Sequence, residues 1–234
     1  MVLTGTLVNG LAIVVAAVVG LLVRNIPEKM KTTTMQGIAL AVVVLGIGMT
    51  QKSEQFLIVI GSLVIGGIIG EQIDIEERLN RVGAWIETKV GAKEDGAVAK
   101  AFVTATLIYV VGAMAILGAL DSGLRGDHSV LYTKSLLDGF SALIFTSTLG
   151  IGVIFSAIPV VLYQGGIALL ATQINQYVPT VLMDSFIVEM TATGGVMIIA
   201  IGLNILGILK IRVANLLPSI LVVAVLVTAM YYFA

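Results

Sequence analysis

Eight apolar runs, parted by short polar stretches, constrain this 234-residue chain more than any other feature. They lie near 5–23, 35–50, 56–70, 101–120, 138–156, 159–174, 185–207 and 213–233. In hydrocarbon the backbone must bond to itself, and about 20 residues of helix are needed to cross. The expected fold is therefore an all-α integral membrane protein of one domain with about eight hydrophobic segments. The runs at 35–50, 56–70 and 159–174 are short, so 35–70 and 138–174 read as hairpins that either span or re-enter. Composition agrees: 58% of residues are hydrophobic, 12% are charged, and the mean hydropathy is +1.08.

The stretch between the third and fourth runs is different. In EQIDIEERLNRVGAWIETKV, Ile75, Leu79, Val82, Ile86 and Val90 recur at helical spacing among charges. An amphipathic helix on a membrane surface fits this pattern, with Trp85 as its interfacial anchor. With the N-terminus outside, the inside connections carry ten basic residues, Arg24 and Lys93 among them. The outside connections carry three: Lys52, Arg125 and Lys134. Positive charge gathers on the inner side, so both termini are expected outside, as are the connections 51–55 and 121–135.

Two stretches align at a shift of 104 residues: LGIGMTQKSEQFLIVIGSLVIGG from Leu45 and LGIGVIFSAIPVVLYQGGIALLA from Leu149. Identities at Gly46 with Gly150 and at Gly61 with Gly165 make a weak internal repeat. Because the two copies start from opposite sides, the repeat implies inverted-topology halves. The halves would be 1–70 and 98–234, joined by the interfacial helix 71–97. The glycine spacing at Gly66 and Gly70 points to close helix packing, and the many glycines allow a homodimer.

Several function classes are disfavoured. The formal charge is -1 and no basic run is present, which argues against a nucleic-acid partner. The chain lacks cysteine, so thiolate chemistry is excluded, and its one histidine, His128, lies in a polar loop. Neither H-E-x-x-H nor G-x-S-x-G occurs, and Asp138 and Glu189 are isolated carboxylates, so no enzyme and no cofactor are expected.

The candidate residues are polar side chains inside apolar runs, where a charge costs at least about 2.5 kcal/mol and usually faces a polar interior. Glu189 opens FIVEMTATGGVMIIAIGLNIL, with Thr193 within about 40° of it on a helix and Asn204 about 60° away. It either binds a monovalent cation in a cavity, or meets water or caps a helix near the interface. Asp138 is either a titrating coupling residue or a carboxylate favoured at a helix start. Lys134, four residues earlier, is placed to pair with it, which suits the structural alternative. Asn9, Gln36, Gln164 and Asn204 either line a pathway or bond between helices. Glu71 and Asp74 open the surface helix and read as structural.

GTLVNGLAIV at 5–14, MQGIALAVVVLGIGM at 35–49, IGEQIDIEERLNRVG at 69–83, KSLLDGFSAL at 134–143 and ILKIRVANLLP at 208–218 resemble, in order along the chain, one family. It is the bacterial membrane family called domain of unknown function 554. The resemblance implies a transport protein of a bacterial inner membrane, without an assigned substrate or catalytic residue. The expected function is secondary transport of a small solute or ion, coupled to a proton or sodium ion. Glu189 and Asp138 would bind that ion, while Thr193, Asn204, Asn9 and Gln36 line the route. A passive channel and a scaffold that moves nothing are the alternatives.

Overall fold

The computed structural model describes residues 1–22, 28–90, 96–110 and 112–233. Arg24 and Lys93, two of the ten inner basic residues, fall outside them. The helices are α1 (Thr4–Leu22), α2 (Glu28–Thr50), α3 (Phe56–Ile73), α4 (Ile75–Val90), α5 (Ala97–Val110) and α6 (Ala113–Leu124). They continue as α7 (Ser129–Leu149), α8 (Gly152–Phe155), α9 (Ala157–Tyr177), α10 (Thr180–Ile205) and α11 (Pro218–Phe233), with a 3-10 turn at Val213–Leu216. The described residues form no strand.

Five stretches are long and apolar enough to cross a membrane: Thr4–Leu22, Phe56–Ile73, Gly152–Tyr177, Thr180–Ile205 and Val213–Phe233. A sixth is made if α5 and α6, which meet at a 60° bend, act as one span. Gly112 at that bend has φ 151°, a backbone state that disfavours a Cβ. Residues 35–50 form the apolar end of α2 and are shorter than a span. The run at 138–156 is divided: α7 ends at Gly150, whose φ is 93°, and α8 begins two residues later. The 51–55 connection is a loop as expected, but most of 121–135 is helical, leaving only 125–128 between α6 and α7.

Packing divides the chain into two units, residues 1–28 with 79–177 and residues 29–78 with 178–234, so each draws on two separate stretches of sequence. In the first unit α1 lies along α7, with Gly20 against the Leu143 carbonyl, and α6 packs on α9. In the second, α3 packs on α11 and α10. A Cβ on Gly70 would stand 1.8 Å from the carbonyl oxygen of Asn215, and one on Gly66 would stand 2.3 Å from the Ser219 nitrogen. The G-x-x-x-G spacing therefore lets the backbone of α3 touch the turn before α11. Within the same unit α2 meets α10 at Gly46, where a Cβ would come within 2.6 Å of the Gly195 carbonyl.

The helix ends show how the loops are fixed. Asp74, at φ 54°, stops α3 in the left-handed state that Asp tolerates better than most residues, and its N–H bonds to the Gly70 carbonyl. At the end of α10, Gly207 at φ 73° donates to the Asn204 carbonyl and Ile208 donates to that of Leu203, a Schellman arrangement. Gly46 lies inside α2, which runs on to Thr50, whereas Gly150 terminates α7. This pair of the internal repeat is therefore locally unlike.

Candidate functional site

The first unit buries a polar cluster. Asn9 from α1, Lys134 and Asp138 from α7, and Gln164 from α9 meet in its interior, where Asn9 and Gln164 are fully covered and Lys134 and Asp138 are 7% and 6% exposed. The four-residue spacing sets Lys134 one turn from Asp138, and the ammonium lies 2.9 Å from both carboxylate oxygens. Asn9 Nδ2 donates to Asp138 Oδ2 at 3.0 Å and to Gln164 Oε1 at 3.2 Å. Tyr109 on α5 faces α7, its ring 6.4 Å from that of Phe145, and lies within electrostatic reach of Asp138.

The cluster is incompletely satisfied. Asn9 Oδ1 and Gln164 Nε2 are buried with no partner in the protein, and elsewhere in the same unit so are the hydroxyls of Thr6 and Tyr109. An unpaired buried polar group costs about 1–3 kcal/mol, so such a concentration is unusual for a purely structural core. What the arrangement offers is a charge pair that balances itself and neighbouring groups with bonding capacity to spare.

Glu189 belongs to the second unit and is 2% exposed. Its Oε1 accepts the backbone N–H groups of Glu54 and Gln55, each at 2.9 Å, and its Oε2 accepts the Ser53 hydroxyl at 2.6 Å. These donors lie immediately before α3, at a helix end that has no side-chain cap of its own, and the Gln55 N–H is shared with the Ser53 hydroxyl at 3.2 Å. Glu189 thus caps a helix from another helix, at the positive end of the dipole. It lies level with the first turn of α3, whose 18 residues make about 27 Å, near a bilayer's apolar thickness. That level is one end of α3, not its middle. Glu189 also borders a cavity of about 120 Å³, lined in addition by Glu54, Gln55, Ser185, Val227 and Tyr231.

The remaining candidates are dispersed within the second unit. The Thr193 hydroxyl lies 3.4 Å from that of Ser62 on α3. Asn204 donates to the Ile211 carbonyl at 2.7 Å and accepts the Ile211 N–H at 2.8 Å, which uses its amide to brace the turn after α10. Gln36 is exposed on α2. Glu71 and Asp74 both pair with Arg212, while Asn215 donates to Glu71 at 2.6 Å and accepts the Glu76 N–H at 2.8 Å. This knot places residues 71–76 and 212–215 at the same end of the unit, as the basic count requires of those two connections. Burial raises the Glu76 carboxyl above its ordinary range, against the lowering effect of the Ala214 N–H and of Arg212. Among the described residues no group of three His, Cys, Asp or Glu side chains is placed to hold a metal ion.

The i,i+4 spacing of Lys134 and Asp138 and the polarity of Asn9 and Gln164 were readable one by one. Their convergence was not, because residues 9, 138 and 164 are brought together by helix packing alone. The donors that Glu189 binds carried no signal beyond the polar turn QKSEQ, since two of the three are backbone amides.

Long apolar helices and a buried polar cluster define the class, a multi-span α-helical membrane protein. The chain belongs to the family described as Protein of unknown function (DUF554), whose model matches residues 4–228. It is 32% identical over 234 residues to the "Uncharacterized membrane protein YdfK" of Bacillus subtilis (strain 168), covering 98% of this chain and 97% of that protein. It is 29% identical over 222 residues to the "Uncharacterized protein YqgA" of Escherichia coli (strain K12), covering 93% of each. No solved structure matches the chain.

Proposed function

We propose that this protein is a secondary transporter of a small solute or ion, driven by a cation gradient. It would sit in a bacterial inner membrane with both termini outside and inverted halves joined by the interfacial helix. The observation that carries the reading is the buried Lys134–Asp138 pair with Asn9 and Gln164 around it. A purely structural core gains little from such a pair, because desolvation of both ions consumes most of their attraction. A transporter uses it: Asp138 binds the coupling ion, and Lys134 occupies the carboxylate when that ion is absent. Glu189, anchored on the residues before α3 beside its cavity, is the candidate ion-binding carboxylate of the second unit and fixes the α2–α3 hairpin.

The test is flux in proteoliposomes with an imposed proton or sodium gradient. Saturable, gradient-driven solute accumulation that Asp138→Asn abolishes supports the proposal. Current that follows the solute's own gradient indicates a channel, and no movement of any kind indicates a scaffold.

A further inference from the structure

We infer that protonation of Asp138 turns Lys134 into the binding site for a small monoanion, so that the transported solute is an anion carried with a proton. This deepens, and rests on, the transport reading above. The argument is one of charge. Lys134 and Asp138 are both buried, and the ammonium stands 2.9 Å from each carboxylate oxygen, so the cluster as it stands is neutral. Adding a cation alone leaves one buried positive charge, and adding an anion alone leaves one negative; either is heavily penalised away from water. A proton and a monoanion together restore neutrality.

The unpartnered amide atoms fit the arrival of the proton. A proton from the water on the open side goes onto Asp138 Oδ2, which then needs an acceptor where it now has a donor, Asn9 Nδ2 at 3.0 Å. Asn9 Oδ1 is an acceptor without a partner, and a half-turn of the amide exchanges the two atoms. Gln164, now bonded to Asn9 through Oε1 at 3.2 Å, makes the same half-turn, because the Asn9 oxygen would otherwise face it, and its unused Nε2 then donates to Asn9. The released Lys134 Nζ then supplies the donors for an anion, with no competing carboxylate left upon it. The other titratable side chains are Tyr132 on α7 itself, Lys100 on α5 and Asp121 on α6, already paired with Arg125, with Tyr163 and Tyr177 on α9, the helix that supplies Gln164. α1 and α8 contribute none, so no second carboxylate of these helices competes for the ammonium.

Asp138→Asn imitates the protonated state. The measurement is the Tm of the full-length purified protein in sodium chloride, nitrate or acetate, each against sodium sulfate at matched ionic strength. The expected result is a monoanion-dependent rise on the order of 2–4 °C in Asp138→Asn near neutral pH. It should be absent from the Lys134→Met/Asp138→Asn double variant, which controls for general salt effects. The wild type should acquire the same dependence on acidification, which keeps the test decisive if the single variant does not fold. Equal responses in the single and double variants, or a wild type indifferent to these anions at every pH, overturn the inference. A rise in wild-type Tm set by sodium whatever the anion, and lost in Asp138→Asn, also overturns it while leaving cation-coupled transport standing. Anion dependence as expected with no flux in proteoliposomes upholds the site and removes the transport reading.

Discussion

Glu189 shows how one carboxylate can be satisfied by a helix other than its own. Three donors from residues 53–55 converge on it, and two of them are backbone N–H groups with no alternative partner in α3. Glu189→Gln keeps an acceptor for both amides and lets its own amide donate to Ser53, so it should lose only the charge–dipole contribution, about 1 kcal/mol. Glu189→Leu strands the Glu54 N–H and the Ser53 hydroxyl and leaves the Gln55 N–H only the Ser53 oxygen at 3.2 Å, and should cost about 3 kcal/mol in chemical unfolding. If Glu189→Gln remains stable yet loses gradient-driven flux, the carboxylate acts in transport as well as in capping. Glu76 makes a pH-dependent case of the opposite kind. Burial raises its folded pKa, so its favourable contribution is complete at low pH and is lost as pH rises through that raised value. Glu76→Gln should therefore flatten this part of the stability profile, raising stability relative to wild type on the alkaline side.

At the scale of the element, α3 is defined by what its glycines allow. Its apolar run and start were legible in the sequence because polar QKSEQ precedes it, but its length was not: the helix continues past residue 70 through Glu71 and Gln72 to Ile73. The G-x-x-x-G spacing told that something would approach, but not that the backbone of Asn215 would be the partner. Gly70→Ala should destabilise the protein by more than the roughly 1–3 kcal/mol of ordinary overpacking, since the new methyl meets a carbonyl that cannot rotate away. Gly48→Ala in α2 meets nothing within 4 Å and should be neutral or stabilising by up to about 1 kcal/mol through helix propensity. Denaturant midpoints of the two variants, measured side by side, check the contrast. The division of 138–156 was missed for a related reason: hydropathy runs smoothly through Leu149-Gly150-Ile151, and only the positive φ of Gly150 marks the end of α7.

For the whole molecule, hydropathy conveyed the membrane class and the all-helical fold, and the charge count yields an expected orientation. Neither could convey the grouping of helices, because which apolar faces meet is decided by small side chains and buried polar pairs. Orientation has a direct test. Arg125 is largely exposed in the 125–128 loop and Lys89 is exposed on α4. Cysteines placed at these two positions should react with an impermeant thiol reagent from opposite sides, position 125 from outside in intact cells; labelling of both from outside would reverse the sidedness of α4. The order in which the chain is made gives the Asn9–Asp138 bond a further meaning. Asn9 belongs to α1, and its partner follows 129 residues later. At about 5–20 residues per second, α1 waits roughly 6–26 s with its amide unmatched. A helix that must be held for so long is a natural client for whatever in the insertion machinery shelters polar side chains from lipid.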